Sequence, residues 1–220
     1  MTDFNILQKR IIQGDPFEKC NGTVVVSEKG QSMLLNIVLS GEAWCVKNMD
    51  NKFESLKNNL RKRKCADTAI WMPTDSGQWV LHIIEMKKTV TRSCNDTSWD
   101  HIKRQFVGAY RICRMVAAAL DIEIEQVVFY TAFNNDDDIS LRVIDSSDVD
   151  DTEDPVAMRV DPDMPDDMPS PMVEWASGKC SLGDNGWADN YTEKRHTHIR
   201  IKMTELPNGT YESTYPCHQT

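Results

Sequence analysis

Three side chains near the middle of the chain have the types and spacing that metal-dependent chemistry requires. Glu85 and Lys87 are two residues apart, so on an extended strand they share a face and lie about 7 Å apart. Asp67 belongs to the preceding apolar run, and the turn sequence Pro-Thr-Asp-Ser-Gly separates the two runs. If the runs pair as antiparallel strands, Asp67 comes alongside Glu85 at one edge of the sheet. Two carboxylates and an ammonium there would suit a hard divalent cation such as Mg²⁺.

Such a site would serve phosphodiester hydrolysis. A divalent cation activates water and stabilises the charge that develops on the scissile phosphate, and a lysine beside it can orient or deprotonate that water. The spacing alone is weakly specific, because Glu-x-Lys is common at strand ends. A surface ion pair between strands is the simpler alternative. His82 faces away from Glu85 on the same run, and we expect it to be a core histidine.

The elements that must position these residues follow from apolar periodicity. Residues 23–27 and 32–39 are apolar, β-branched runs that predict a hairpin. Residues 50–64 predict a helix with one narrow buried stripe. Residues 65–72 and 78–90 predict two strands, and the short Gly-containing turn between them predicts that they are antiparallel neighbours.

The second half of the chain predicts a layered α/β arrangement. Ser98 is a favourable N-cap, and apolar residues from 102 to 120 recur at helical spacing after it. A strand over 126–133 follows, so the helix links two strands as a crossover. Residues 196–203 predict one more strand, and residues 1–13 a short amphipathic helix. We therefore expect an α/β fold with a mixed central sheet flanked by helices.

Acidic charge is concentrated in one segment. Residues 136–167 carry thirteen acidic and two basic side chains, a net charge of −11, so the rest of a chain of net charge −9 carries +2. The segment also contains five of the nine prolines when it is extended to residue 171. Such a sequence buries too little apolar surface to offset its ordering entropy, which predicts a loosely ordered insertion. It is either a solvated segment or a docking or autoinhibitory element that competes with polyanions for a basic groove.

Composition restricts the class of protein. Forty per cent of the 220 residues are hydrophobic, enough for a sizeable core. No run of about 18 apolar residues and no secretory signal is found, so we expect no membrane association. The seven cysteines are scattered without a CxxC pair, which predicts reduced thiols and a cytoplasmic location.

The run KCADTAIWMPTDSGQWVLHIIEMKK, with a predicted helix before it and WDHIKRQFVGAY after it, resembles the PD-(D/E)XK nuclease superfamily. The resemblance covers about residues 50–133 and implies a restriction-endonuclease-like αβββαβ core. It implies that Asp67 and Glu85 hold Mg²⁺ or Mn²⁺, that the Met86 carbonyl adds a ligand and that Lys87 positions water. Ala66 stands where the name-giving proline would be.

The same resemblance implies two further site residues. Gln105 matches a glutamine near the start of the following helix that contacts the substrate or the site in many members. Glu54 matches an acid on the first helix that completes the metal site, with Glu42 as the alternative. No clear strand is predicted between the helix at 50–64 and Asp67, so the hairpin at 23–39 is the candidate for the first core strand.

The leading expectation is a Mg²⁺- or Mn²⁺-dependent endonuclease that acts on DNA. A net charge of +2 outside the acidic segment is small for tight DNA binding, which depends on several contacts between basic side chains and phosphates. We therefore expect a helicase or DNA-binding partner to supply affinity for DNA. Two alternatives remain, a catalytically inactive adaptor with the same fold and an inhibitor whose acidic segment mimics a polyanion. We expect one domain over 1–220, with its core at 50–133, a hairpin region at 1–49, the acidic insertion at 136–171 and a strand region at 172–220.

Overall fold

The computed structural model describes residues 16–28, 30, 32–53, 64–92, 96–136, 139, 171–182 and 195–217. Within them the chain is mixed α/β. The strands are β1 (Glu18–Cys20), β2 (Thr23–Glu28), β3 (Met33–Leu39), β4 (Ala43–Lys47), β5 (Thr68–Pro73), β6 (Trp79–Thr89), β7 (Ile124–Asn135), β8 (Lys179–Ser181), β9 (Arg195–Lys202), β10 (Thr204–Glu205) and β11 (Tyr211–Cys217). The helices are α1 (Met49–Lys52), α2 (Trp99–Ala119) and α3 (Pro171–Ser177).

Two mixed sheets contain the described strands. The larger has seven strands in the order β1-β4-β5-β6-β7-β9-β8, and the smaller has four in the order β10-β11-β3-β2. In the larger sheet β1, β4, β5 and β6 are successively antiparallel, whereas β6, β7 and β9 are parallel. In the smaller sheet β2 is antiparallel and β11 parallel to β3.

Several predicted elements are confirmed. Strands β2 and β3 form the predicted hairpin, and β5 and β6 pair antiparallel around the predicted turn. The Ser98 hydroxyl caps α2 by accepting the His101 backbone N–H at 3.2 Å. Helix α2 then connects β6 to the parallel strand β7, which is the predicted crossover. The predicted final strand corresponds to β9.

The prediction that the hairpin at 23–39 supplies the first core strand is wrong. The strand beside β5 is β4, which the sequence analysis missed, and the β2–β3 hairpin belongs to the smaller sheet. Strand β4 has only five residues, and its neighbouring Cys45 and Val46 are both buried because the sheet is covered on both faces. Such a short run without alternation carries little strand signal. Strand β5 also begins later than predicted, at Thr68.

In the described part of the chain, the helices lie on one face of the larger sheet and the smaller sheet lies on the other. Helix α2 packs on one face, where Ile102 and Phe106 join Leu81 and Ile83 in a common core. The smaller sheet packs on the other face. The core between the two sheets includes residues of both: Val24, Val26, Met33, Leu35, Ile37, Ile70, Met72, Val80, Ile84, Met86 and Val128.

Some predictions fall on residues outside the described part. The predicted helix over 1–13 lies there, as does most of the acidic insertion. Of the helix predicted over 50–64, residues 50–53 and 64 are described: α1 ends at Lys52, and Lys64 lies outside any helix. None of the six described cysteines forms a disulfide. Among the described helices, none combines the length and apolar character needed to cross a bilayer.

Helix α3 is fastened to α2 by a buried carboxylate. Glu174 accepts hydrogen bonds from Trp99 Nε1 at 2.9 Å and from Lys103 Nζ at 2.8 Å. Its other oxygen accepts the Ser181 backbone N–H. A buried carboxylate with three donors is satisfied, so this contact can hold α3 against the start of α2.

Candidate active site

Asp67 and Glu85 meet where strands β5 and β6 stop pairing. The last paired residues are Thr68 and Ile84, so Asp67 and Glu85 would form the next pair outward. Asp67 precedes β5 and does not continue it. Its Oδ2 atom accepts the Met86 backbone N–H at 2.8 Å. The carboxylate therefore takes the place of a backbone partner and holds Asp67 beside Glu85.

Glu85 and Lys87 form a buried ion pair on the α2 side of the sheet. Glu85 is fully buried, and the Lys87 ammonium contacts its Oε1 atom. Within the described residues, neither Glu85 oxygen accepts a well-directed hydrogen bond. Burial raises the pKa of Glu85 well above its ordinary value, and the charge of Asp67 adds to this. Burial acts to lower the pKa of Lys87, but the surrounding carboxylates outweigh it and leave that pKa raised.

A third carboxylate, missed by the sequence analysis, comes from the smaller sheet. Glu28 ends β2, and burial raises its pKa to about 7, with Lys87 opposing and Asp67 adding to the shift. Glu28 therefore interacts electrostatically with Lys87 and Asp67 at this edge of the larger sheet. The signal was present in the sequence, since Glu28 continues the alternation of the buried residues Val24 and Val26. The sequence Glu-Lys-Gly at 28–30 is also typical of a hairpin turn, so it does not by itself predict that Glu28 faces a site.

The Met86 carbonyl is directed towards Asp67. The backbone N–H and C=O of one strand residue point to the same side, and the Met86 N–H donates to Asp67. The Met86 side chain is buried in the core between the two sheets. The carbonyl oxygen is therefore available at the edge where the carboxylates meet.

Gln105 lies on the face of α2 that packs against the approach to β5. His101, Gln105 and Gly108 share one face of the helix by spacing. The Lys64 ammonium is 3.1 Å from His101 Nε2, and the Lys64 carbonyl lies directly against Gly108. The Gln105 side chain is buried, and its Oε1 has no hydrogen-bond partner among the described residues. The charge of Lys87 helps to lower the pKa of His101, after burial and Lys64.

Of the two candidates for the first-helix acid, only Glu42 can be placed. Glu54 lies outside the described residues. Glu42 is exposed and forms an ion pair with Lys19 at 2.9 Å. Because Lys47, at the other end of β4, pairs with Thr68, Glu42 lies at the opposite end of the sheet from Asp67. The alternative assignment of Glu42 is therefore corrected.

The donor set at this edge fits a hard divalent cation. The Asp67 and Glu85 carboxylates and the Met86 carbonyl are the candidate oxygen ligands, whereas Glu28 acts on this group through its charge and its oxygens do not join theirs in a three-carboxylate cluster. With the Lys87 ammonium and the Glu28 carboxylate included, the fully ionised group carries a net charge of −2. Oxygen ligands and an excess of negative charge favour Mg²⁺ or Mn²⁺ over thiophilic metals. The buried Oε2 atom of Glu85, which accepts no hydrogen bond from the described residues, is consistent with such a ligand.

The chain matches no profile of a known protein family, no curated protein and no solved structure. The arrangement at this sheet edge is therefore the basis for a functional proposal.

Proposed function

We propose that this chain is a metal-dependent nuclease that hydrolyses phosphodiester bonds of DNA. The observation that carries the proposal is the buried Glu85–Lys87 pair beside Asp67, whose carboxylate is held by the Met86 N–H. A buried ion pair with additional carboxylate charge is costly to maintain, and such groups concentrate at functional sites.

The order of elements also supports the proposal. Antiparallel strands β4, β5 and β6 are followed by α2 and the parallel strand β7. This succession corresponds to the βββαβ part of the restriction-endonuclease-like core that the sequence resemblance implies. Two features differ from that expectation. A second sheet covers the face opposite α2, and Glu28 supplies an acid from that sheet.

Different residues of the chain would have different roles in the proposed reaction. When bound, Mg²⁺ or Mn²⁺ supplies Lewis-acid activation and charge stabilisation at the scissile phosphate. Asp67, Glu85 and the Met86 carbonyl would hold it. The Lys87 ammonium orients the attacking water and offsets negative charge in the transition state. Gln105 contributes a polar group from α2.

Replacement of Lys87 tests the proposal directly. We expect Lys87→Ala to lower plasmid cleavage by about 10²–10⁴-fold under Mg²⁺, the range for loss of a group that assists proton transfer. Lys88→Ala is the matched control, because the exposed Lys88 neighbours Lys87 on the same strand but faces the other side. Glu85→Gln and Asp67→Asn should behave like Lys87→Ala, and chelation should abolish wild-type cleavage. A Lys87→Ala protein that cleaves plasmid as fast as the wild type would refute the mechanism.

A non-catalytic adaptor is the second candidate function. It is supported by the complete burial of Glu85 and its direct ion pair with Lys87, since the pair is neutral without a metal. Calorimetry separates the two functions. The nuclease requires Mn²⁺ binding that Glu85→Ala abolishes, and the adaptor predicts none. The polyanion-mimic alternative depends on the acidic insertion, most of which lies outside the described residues.

A further inference from the structure

A cluster of two thiols and a carboxylate lies at the edge of the larger sheet. Glu18 and Cys20 share one face of β1, and Cys45 of β4 is directly opposite Glu18. One ligand atom from each residue lies within 4.8 Å of the other two. Cys45 is buried in the core between the two sheets, so the cluster lies on the opposite face from α2 and the Glu85–Lys87 pair.

We propose that Glu18, Cys20 and Cys45 bind a thiophilic divalent cation such as Zn²⁺, with water as the fourth ligand. Cysteine sulfur and carboxylate oxygen are established zinc ligands, and thiolates select against Mg²⁺. The Cys20 and Cys45 sulfurs are 2.7 Å apart. Zn–S bonds of about 2.3 Å in a tetrahedral site separate two sulfurs by about 3.8 Å, so side-chain rotations of about 1 Å complete the geometry.

The local charges support a cation at this position. Two thiolates and a carboxylate carry −3, and a divalent ion together with Lys47, 3.4 Å from Glu18, restores neutrality. The Cys20 and Cys45 thiols lose their protons when a cation binds, so the thiolates that carry this charge form together with the metal site.

The cation would stabilise the pairing of the edge strand β1 with β4. Strand β1 has three residues and pairs only with β4 in the described sheet. Such a short strand gains little from its backbone hydrogen bonds. A metal that joins side chains of both strands adds its binding free energy to the folded state.

Metal titration of the full chain tests this inference. The reduced, chelator-stripped protein is titrated with Zn²⁺ against a competing chelator, and with Co²⁺ for its thiolate charge-transfer absorption. We expect one ion per chain with that absorption, unaffected by excess Mg²⁺. Cys20→Ser and Cys45→Ser should lower the affinity more than about 100-fold, because even residues outside the ligand set contribute about 10–100-fold. Glu18→Gln should weaken binding, and Glu42→Gln, also exposed and ion-paired with a lysine, should not.

Several results would overturn the inference. One is zinc affinity that Cys20→Ser leaves unchanged, and another is a cobalt spectrum without thiolate charge transfer. A third is a reduced protein that binds no Zn²⁺ but readily forms a Cys20–Cys45 disulfide. If buried Cys45→Ser fails to fold, the half-exposed Cys20 and the exposed Glu18 still decide the question. Because the measurement does not use DNA cleavage, it is independent of the proposed nuclease activity.

Discussion

Glu85 is the residue on which the proposed chemistry depends most. A carboxylate removed from water is costly unless a charge partner compensates. Lys87 supplies that partner: burial raises the pKa of Glu85, and although burial acts to lower the pKa of Lys87, the neighbouring carboxylates leave it raised. A pair of this kind can accept a cation when the carboxyl proton leaves. The residue-scale property that matters is therefore the proximity of Asp67 and Glu28, which favours an additional positive charge at the edge.

The protonation of Glu28 gives a stability prediction. Its pKa is about 7 in the folded protein against an ordinary value of 4.5, so the folded state holds this proton more tightly. The stability contributed by Glu28 is present below about pH 4.5, falls as the pH rises to about 7 and then levels off. Because Glu28 is only partly buried, we expect Glu28→Gln to raise the melting temperature at pH 8 by just about 2–4 °C, which corresponds to about 1 kcal/mol.

Thermal denaturation in a chelating buffer at pH 4.5 and pH 8 measures this effect. Glu28→Gln should differ little from the wild type at pH 4.5 and clearly at pH 8. Glu205→Gln, an exposed position in the same sheet, serves as the control. Equal differences at both pH values would show that Glu28 does not titrate in this range.

At the scale of elements, the close approach of α2 to residue 64 controls where Asp67 lies. A Cβ atom at Gly108 would overlap the Lys64 carbonyl oxygen, which is backbone and cannot rotate away. The helix can therefore lie this close only because residue 108 lacks a side chain. Since residue 64 begins the stretch that leads to Asp67, the packing of α2 and the geometry of the site are linked.

Gly108→Ala should show that link. We expect overpacking to destabilise the protein by about 1–3 kcal/mol and to lower cleavage by moving the approach to Asp67. Ala118→Ser, at an exposed position of the same helix, is the control and should change neither property. Chemical denaturation and plasmid cleavage provide the two measurements. A Gly108→Ala protein with wild-type stability would contradict the close approach.

At the scale of the whole molecule, packing of two sheets assembles the site. The larger sheet carries Glu85 and Lys87, Asp67 directly precedes its strand β5, and the smaller sheet carries Glu28. The smaller sheet occupies the face opposite α2, so the candidate metal ligands lie at the rim of a β-sandwich covered by one long helix on its other side.

The charge distribution predicts weak DNA binding by the isolated chain. Each phosphate contact contributes about −0.9 to the slope of log affinity against log salt, so few contacts give a shallow slope and low affinity. We expect fluorescence anisotropy with duplex DNA to show this behaviour, with little binding at physiological salt. Cleavage should rise when a helicase or DNA-binding partner is present. Tight binding and efficient cleavage by the chain alone at physiological salt would contradict the need for a partner.

Local sequence was sufficient for the centre of the candidate site. The apolar run before Glu85, the Gly-containing turn and the apolar run after Asp67 predict an antiparallel pair, and the observed register makes Asp67 and Glu85 neighbours. The N-cap at Ser98 and the crossover to β7 follow from equally local signals. In each case the interacting residues are separated by a turn or one element, so residue spacing almost fixes their contact.

Only the tertiary structure decided the rest. Strand β4 occupies the position beside β5 that the hairpin was expected to fill, and the hairpin instead brings Glu28 to the site from a second sheet. The pairing of Cys20 with Cys45 likewise depends on which strand lies at the sheet edge. Alternation along a strand shows which side chains share a face. It does not show which strands become neighbours, because that depends on how the buried surfaces of distant segments pack together.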